Sequence, residues 1–456
     1  MLFCCLQTLF DTVRQEQPQA LTKVVPICGD VTEPELGISA ADQKILTDQV
    51  SIVFHSAATV KFDEALKLSV TINMLGFFVI SLTHASLFCP QALIHVSTAY
   101  CNCDREEVNE VIYPPPYDPE KIIQCVEWMD EELVNALTPR LIGERPNTYT
   151  FTKALAEHML LKESGNLPVA IVRPSIVLSA YREPVCGWVD NWNGPTGVIA
   201  AAGKGIFRTM LCNETMVADL VPVDLVINLL VCAAWHTATT RPDGITVYNC
   251  TTGIQRPITW HDFVDTCFSN FHKHPVRDTL WYPDGRCRSN WMLNSSMDLL
   301  VHKLPAYLMD FLAMAAGSKP IMVKVQGKLR KAAQCLEYFA THQWRFTNAN
   351  VVRLQERLCG DDRRTFAFDV RDIHWPSYIE NYVLGIRQFI FKEAPSTLPV
   401  ARKHLQRLYW LHRCCQLLAV LLAWRVLMLR SAAARNLWFS LLNTVLRVAR
   451  MVPTYV

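Results

Sequence analysis

Ala92-Leu93-Ile94-His95-Val96-Ser97-Thr98 and Val169-Ala170-Ile171-Val172-Arg173-Pro174-Ser175 are two short apolar runs that each close on hydroxyl-bearing residues. Such runs, bounded by turn residues, read as strands covered on both faces, as in a parallel sheet. Working outward, Val24–Ile27 and Ser51–Phe54 read as two further strands. Helical stretches over Glu35–Val50, Ala65–Phe88 and Tyr149–Lys162 fall between the strands. Strands alternating with crossover helices predict an α/β fold, a Rossmann-like doubly wound parallel sheet. Sheets of this kind hold ligands beyond the carboxyl ends of their strands.

The residues at those ends are Gly29-Asp30, His55-Ser56-Ala57-Ala58, Ser97-Thr98 and Arg173-Pro174-Ser175. Small side chains at Ser56, Ala57 and Ala58 let a flat cofactor approach the backbone. The Asp30 carboxylate is suited to accept a hydrogen bond from an adenine amino group. Each segment alone also reads as turn chemistry. At successive strand ends they point to a dinucleotide cleft.

Tyr149-Thr-Phe-Thr-Lys153 places a phenol and an ammonium one helical turn apart. A nearby cation lowers a phenol pKa and makes it a usable proton donor and acceptor. Tyr117-Asp-Pro-Glu-Lys121 has the same spacing, but it follows three prolines and contains Pro119, so it reads as a poor helix. Tyr149 precedes the strong helix former Lys153-Ala-Leu-Ala-Glu157, and context selects it. A hydroxyl from Ser97 or Thr98 would polarise a substrate carbonyl beside the phenol. Asn73, on the preceding helix, reads either as an orienting group near Lys153 or as a structural residue.

With 456 residues, half of them hydrophobic and 19% charged, the chain is neither a disulfide scaffold nor a disordered polymer. Its 17 cysteines lack paired spacing and read as reduced, cytosol-facing thiols; Cys101-Asn-Cys103 has no second pair with which to build a zinc site, and no metal is expected. Nothing in the sequence calls for a nucleic-acid partner. The formal charge of +2 conceals a division, with nine basic and no acidic side chains in residues 401–456 and a net −7 in the rest.

In combination these residues resemble an extended short-chain dehydrogenase/reductase, and more narrowly an alcohol-forming fatty acyl-CoA reductase of insect type. The resemblance rests on Gly29-Asp30-Val31, Val53 to Phe62, Val96-Ser97-Thr98-Ala99-Tyr100, Tyr149/Lys153, Val172-Arg173-Pro174-Ser175 and Asp219-Leu-Val-Pro-Val-Asp224. It resumes at Phe368-Asp-Val-Arg371 and from Trp375 to Glu393. It implies NADPH as cofactor and long-chain acyl-CoA as substrate. Tyr149 and Thr98, with Ser97 as the alternative hydroxyl, would hold the thioester oxygen, while Lys153 lowers the Tyr149 pKa and holds the nicotinamide ribose. Two hydride transfers, through a thiohemiacetal and an aldehyde, would give the fatty alcohol and release CoA. The cofactor-binding set it implies is Asp30, Val31, Ser56, Ala57, Ala58, Asn73, Tyr149, Lys153, Pro174 and Ser175. An acyl tunnel is expected near Ser175, Gly194-Pro-Thr-Gly197 and the apolar helix Val198–Ala202.

The implied division is a reductase domain over 1–255, a connecting substrate-side region over 256–345, the family's C-terminal domain over 346–396 and a tail over 397–456. Basic residues in Val323–His342 suit either CoA phosphates or a solvated helix face. The family opens on a Gly-rich strand-turn-helix that cradles a pyrophosphate, yet no glycine precedes Gly29. The expectation is therefore an N-terminally truncated form, with Met1–Thr8 a substitute start and weak NADPH binding. Two alternatives follow: a catalytically impaired membrane-bound scaffold, or another extended reductase acting on a lipid or sterol.

The tail carries apolar runs at Cys414–Trp424 and Asn436–Leu446, each short of the ~18–20 residues of an undisputed span. Rich in Arg, Trp and Leu, it reads as an interfacial membrane helix or as a hairpin packed on the body. Membrane attachment at the peroxisome or endoplasmic reticulum is expected, with the catalytic body facing the cytosol; Pro453–Val456 is not a peroxisomal Ser-Lys-Leu address.

Overall fold

The computed structural model describes residues 8–76 and 90–451. Four parallel strands form the central sheet: β1 (Ile52–His55), β2 (Ala92–Val96), β3 (Val169–Pro174) and β4 (Thr246–Cys250), in spatial order β1-β2-β3-β4. The register pairs His55 with His95, Val96 with Val172 and Pro174 with Cys250, which aligns the carboxyl ends along one rim.

Alternation along the strands divides the core. Ala92, Ile94, Ala170, Val172 and Tyr248 face one layer, whereas Leu93, Val169, Ile171 and Val247 face the other. Helix α1 (Thr148–Glu163) brings Leu160 to the second face; α2 (Pro195–Gly203) and α3 (Val223–Thr240) lie on the side of the first. Asn147 caps α1, its Oδ1 accepting from the Thr150 N–H at 2.9 Å. Both faces are covered, so the expected doubly wound sheet is what forms.

Two expectations need correction. Val24–Ile27 is not a strand, because among the described residues no neighbouring strand supplies its ladder bonds; the backbone at Val24 is extended, but its N–H donates back to the Leu21 carbonyl. Thr246–Cys250 supplies the fourth strand instead. Pro119 does not block a helix: it occupies the first turn of Pro119–Trp128, where a missing N–H costs nothing, and Asp118 is the cap. Tyr117 lies before that cap, so it does not share a helix face with Lys121. Of the long helix expected over Ala65–Phe88, Leu66–Leu75 forms, and residues 77–88 lie outside the described residues, as do 1–7 and 453–456.

Helix α4 (Trp260–Lys273) leads to a helical stretch over 291–315 that ends in α5 (Leu304–Ala315); α6 (Met322–Thr341) and α7 (Trp375–Gly385) follow. Tyr378, Ile379, Tyr382 and Val383 of α7 are buried in the same core as the sheet. Close approach explains how. Gly187, with φ +77°, and Gly385 touch so tightly that a Cβ on Gly385 would sit 1.7 Å from the Gly187 carbonyl oxygen. The chain closes with α8 (Leu398–Arg430) and α9 (Ala432–Met451).

A fully buried ion pair joins α1 to β3. The Arg173 guanidinium bonds both Glu157 oxygens, at 2.8 and 2.6 Å, and its remaining N–H groups donate to the carbonyls of Asn109 and Val111. Removing one partner strands the other charge in a dry interior, at a cost of about 3–5 kcal/mol. Glu157→Gln should therefore lower the unfolding midpoint sharply. Glu157→Gln combined with Arg173→Met should recover part of that loss, and parallel thermal melts of the two proteins check the pairing.

Candidate active site

One face of α1 carries Tyr149, Lys153 and Glu157 at i, i+4 and i+8, and each meets the rim of the sheet. The half-buried Tyr149 phenol is hydrogen-bonded to Thr98, the residue two beyond the end of β2. Thr98 is held extended, and its Oγ1 also accepts from the Tyr100 N–H at 3.3 Å. The Lys153 ammonium, 1% exposed, donates to the Val96 carbonyl at 2.7 Å. Phenol, hydroxyl and ammonium are thus gathered at the carboxyl end of β2.

The electrostatics differ from the sequence expectation. Burial pushes the Tyr149 phenol up to about 12, Cys101 adds to the rise and the Thr98 hydrogen bond offsets part of it. Lys153 is not among the groups that set this shift; its ammonium is bonded to the Val96 carbonyl. Burial also pulls Lys153 down to about 8, against the supporting charge of Glu157. The ammonium therefore exchanges its proton two to three pH units below an exposed lysine.

Asn73 is buried and committed at both ends of its amide. Its Oδ1 accepts from the Thr59 N–H at 2.9 Å and its Nδ2 donates to Thr152 Oγ1 at 3.0 Å. It thereby fixes the loop after β1 against the turn of α1 that bears Lys153. Ser56 in that loop is exposed, with Ala57 and Ala58 half-buried behind it, leaving the backbone open to a flat ligand.

Ser97 is buried beside Cys101 rather than at the phenol. Pro174 ends β3, and Ser175 turns to Asp219, whose carboxylate also accepts from the N–H groups of Thr252 and Gly253 at 2.8 and 2.9 Å. The Asp30 carboxylate accepts from the Thr32 N–H and hydroxyl, and those bonds hold it below the usual carboxylate range. It is exposed in a turn, with Val31 packed against Gly76.

Two residues that the sequence reading passed over lie beneath this site. His55 and His95 stack with ring centroids 5.1 Å apart and share a hydrogen bond between their Nδ1 atoms at 3.0 Å. Burial, and then Lys153, lowers His55 to about 3; His95 is lowered for the same reasons. Both rings are neutral, so one donates and the other accepts. The signal was available, because each His sits at or next to the end of a strand that the sequence had marked.

Near the site lies an apolar cavity. Ile176, Val198, Ile199, Ala202, Phe207 and Phe339 line it, so the expected tunnel region around α2 does border a chamber. Aromatic contacts connect it to the phenol: Phe339 lies 5.6 Å from Phe62, and Phe62 lies 5.7 Å from Tyr149.

Two family models described as Male sterility protein match the chain, an NAD-binding one over residues 5–230 and a second, named Sterile, over 301–393. Fatty acyl-CoA reductase 1 of Xenopus laevis is 44% identical over 431 residues, covering 94% of this chain and 84% of its own length. The chain belongs to the fatty acyl-CoA reductase family. Fatty acyl-CoA reductase 1 of Homo sapiens is 43% identical over the same share, and fatty acyl-CoA reductase 2 of Bos taurus 39% over 95% of this chain and 84% of its own length. In fold the chain is similar to the terminal R domain of the myxalamid PKS-NRPS pathway, with a TM-score of 0.54 at 15% identity over 84% of this chain and 80% of that one.

A nicotinamide dinucleotide fits the chemistry of this reductase rim, where an open loop after β1 faces a phenol and a buried ammonium. If Lys153 binds the dinucleotide, its affinity should weaken as pH rises through about 8, where Lys153 gives up its charge. Lys153→Arg, charged throughout, should move that loss to higher pH. Calorimetric titration of the dinucleotide across this range checks it, and a flat pH dependence in the unaltered chain would remove Lys153 from the site.

Proposed function

We propose that this chain reduces long-chain fatty acyl-CoA to fatty alcohol with NADPH, releasing CoA. The observation that carries this reading is the Tyr149–Thr98 hydroxyl pair, joined through Phe62 and Phe339 to the wall of an apolar chamber. Ile176, Val198, Ile199, Ala202 and Phe339 give the chamber an apolar lining that suits an acyl chain.

In this reading Thr98 and Tyr149 together donate hydrogen bonds to the thioester oxygen, with Ser97 behind them. Two NADPH, bound in turn, would each supply one hydride, the first to the thioester and the second to the aldehyde left when CoA departs as the thiol. The Tyr149 phenol gives its proton to the developing oxyanion; a phenol held at about 12 stays protonated until that charge appears. Lys153 would turn from the Val96 carbonyl to the ribose. Asn73 keeps the turn of Thr152 and Lys153 in place, and Asp30, Val31, Ser56, Ala57, Ala58, Pro174 and Ser175 border the cofactor. Ile176 begins the acyl wall one residue beyond Ser175.

The same reading divides the chain into a reductase domain over 1–255, a substrate-side region over 256–345, a C-terminal domain over 346–396 and a membrane tail over 397–456. Helix α8 supports the last part: the segment Pro395–Arg430 is long and apolar enough to cross a membrane, and only 6% of its apolar window is buried. Val223–Thr240 meets the same length and composition test but is a core helix. Ala401, Leu405, Leu408 and His412 fix the first turns of α8 to the body; beyond them Leu417, Leu421 and Leu422 are exposed. A hydrophobic product would partition into the membrane that holds this helix, at the peroxisome or endoplasmic reticulum with the body toward the cytosol. The free thiols of all fourteen described cysteines suit that compartment.

Tyr149→Phe should cut alcohol formation by about 10²–10⁴-fold, the usual contribution of a positioned proton donor. Mass-spectrometric assay of fatty alcohol from acyl-CoA and NADPH measures it, and full activity in that variant would reject the assignment. Filling the chamber with Ile199→Phe should shift preference toward shorter acyl chains. An unchanged chain-length profile would separate the cavity from the substrate.

A further inference from the structure

The helical stretch 291–315 is rooted on the chamber but leaves its outer face bare. Its root is polar and specific. His302 is 2% exposed; its Nε2 accepts from the Arg208 N–H at 2.7 Å and its Nδ1 faces Asp298 at 2.9 Å. The imidazole ring stacks on Phe207 with centroids 5.0 Å apart, and Asn294 accepts from Thr209 Oγ1 at 2.7 Å. Phe207 and Thr209 are walls of the apolar chamber.

The outer face is hydrocarbon. Leu304, Tyr307, Leu308, Phe311 and Leu312 are between 52% and 63% exposed, and Leu299, Leu300 and Met314 extend the same patch. A soluble surface scatters such residues singly; a contiguous face of this size marks a binding surface. The charge around it is one-sided. From residue 299 to 336 the basic side chains are Lys303, Lys319, Lys324, Lys328, Arg330 and Lys331, and the one carboxylate is Asp310. Asp310 is buried and occupied, its oxygens accepting from the N–H groups of Ile321, Met322 and Val323 at 2.8–2.9 Å. It caps α6 and offers nothing outward.

We propose that residues 299–315 form a lipid-contacting element separate from the tail, lying in the interface of an anionic membrane leaflet with Leu304, Leu308, Phe311 and Leu312 among the acyl chains. An apolar face rimmed by cations suits anionic headgroups, whereas two copies of the same face would set cation against cation. The twelve residues of α5 are too few to span a bilayer and so lie along it. Through His302 and Phe207 this contact would seat the chamber wall at the lipid surface. That last consequence rests on the acyl reading of the chamber; the lipid contact does not.

The test uses the full chain with phosphatidylcholine vesicles, with and without phosphatidylserine, carrying a phospholipid with a photoreactive group in its acyl chain. After illumination, peptide mapping should find lipid adducts in 299–315 as well as in α8, with the former increased by phosphatidylserine. Leu308→Glu with Phe311→Glu should reduce the 299–315 adducts at least about fivefold, given the transfer energy of two large apolar side chains. The α8 adducts should be unaffected in that variant, which reports on folding. Lys324→Glu, Lys328→Glu and Lys331→Glu together, with the apolar face intact, should abolish the response to phosphatidylserine. Adducts confined to α8, or protein–protein crosslinks through 299–315 in their place, would overturn the proposal. Because no turnover is measured, failure of the reductase reading would appear separately as absent alcohol formation with the adduct map unchanged.

Discussion

The docking of one face of α1 on the carboxyl rim of β2 and β3 is the constraint from which the site follows. Three side chains spaced by four residues anchor it at different levels: Tyr149 to Thr98, Lys153 to the Val96 carbonyl and Glu157 to Arg173. The deepest contact is the most demanding. A fully buried guanidinium and carboxylate must meet with every N–H satisfied, and this fixes the rotation of the helix about its own axis. With that rotation set, the phenol one turn above Lys153 can point only toward the strand ends. Catalytic geometry here is a consequence of packing lower on the same helix.

The same arrangement explains the protonation states. Burial disfavours charge on every group near the rim, so the phenol is raised and the ammonium and both imidazoles are lowered. Glu157 is the near counter-charge for Lys153, and it also holds Arg173. The ion pair therefore links the stability of the fold to the proton affinity of the site. On the substrate side, Ser175 and Asp219 secure the loop from which Ile176 enters the chamber wall. The close approach of Gly187 and Gly385 draws α7 onto that side of the core.

What could be read in the sequence depended on how local its cause was. Ala92–Val96 and Val169–Val172 were legible because a strand covered on both faces leaves an unbroken apolar run. The helix former Lys153-Ala-Leu-Ala-Glu157 was enough to place a helix under Tyr149 and Lys153. Val24–Ile27 misled because β-branched composition reports a tendency to extend, while a strand needs a partner. Pro119 misled because the cost of proline depends on its position in the turn, and at the start of a helix it is absent. Thr246–Cys250 was missed because its polar Thr and Asn interrupt the apolar run. Asn249 is nevertheless buried, its amide donating to the carbonyls of Val108 and Thr347.

By itself, the sequence determined the parallel α/β architecture, the placement of Tyr149 and Lys153 one turn apart on one helix and the separation of an acidic body from a cationic apolar tail. Periodicity, helix spacing and charge are properties of neighbouring residues, and they survive without coordinates. Tertiary structure alone decided that Thr98 rather than Ser97 meets the phenol, that Lys153 faces a carbonyl, and that Asp30 is spent on a turn. It also decided that His55 and His95 share a proton, and that residues 299–315 present bare hydrocarbon beside a chamber they help to support. Each of these depends on which of several chemically equal partners arrives first in space, and that choice is made by packing between segments distant in the chain.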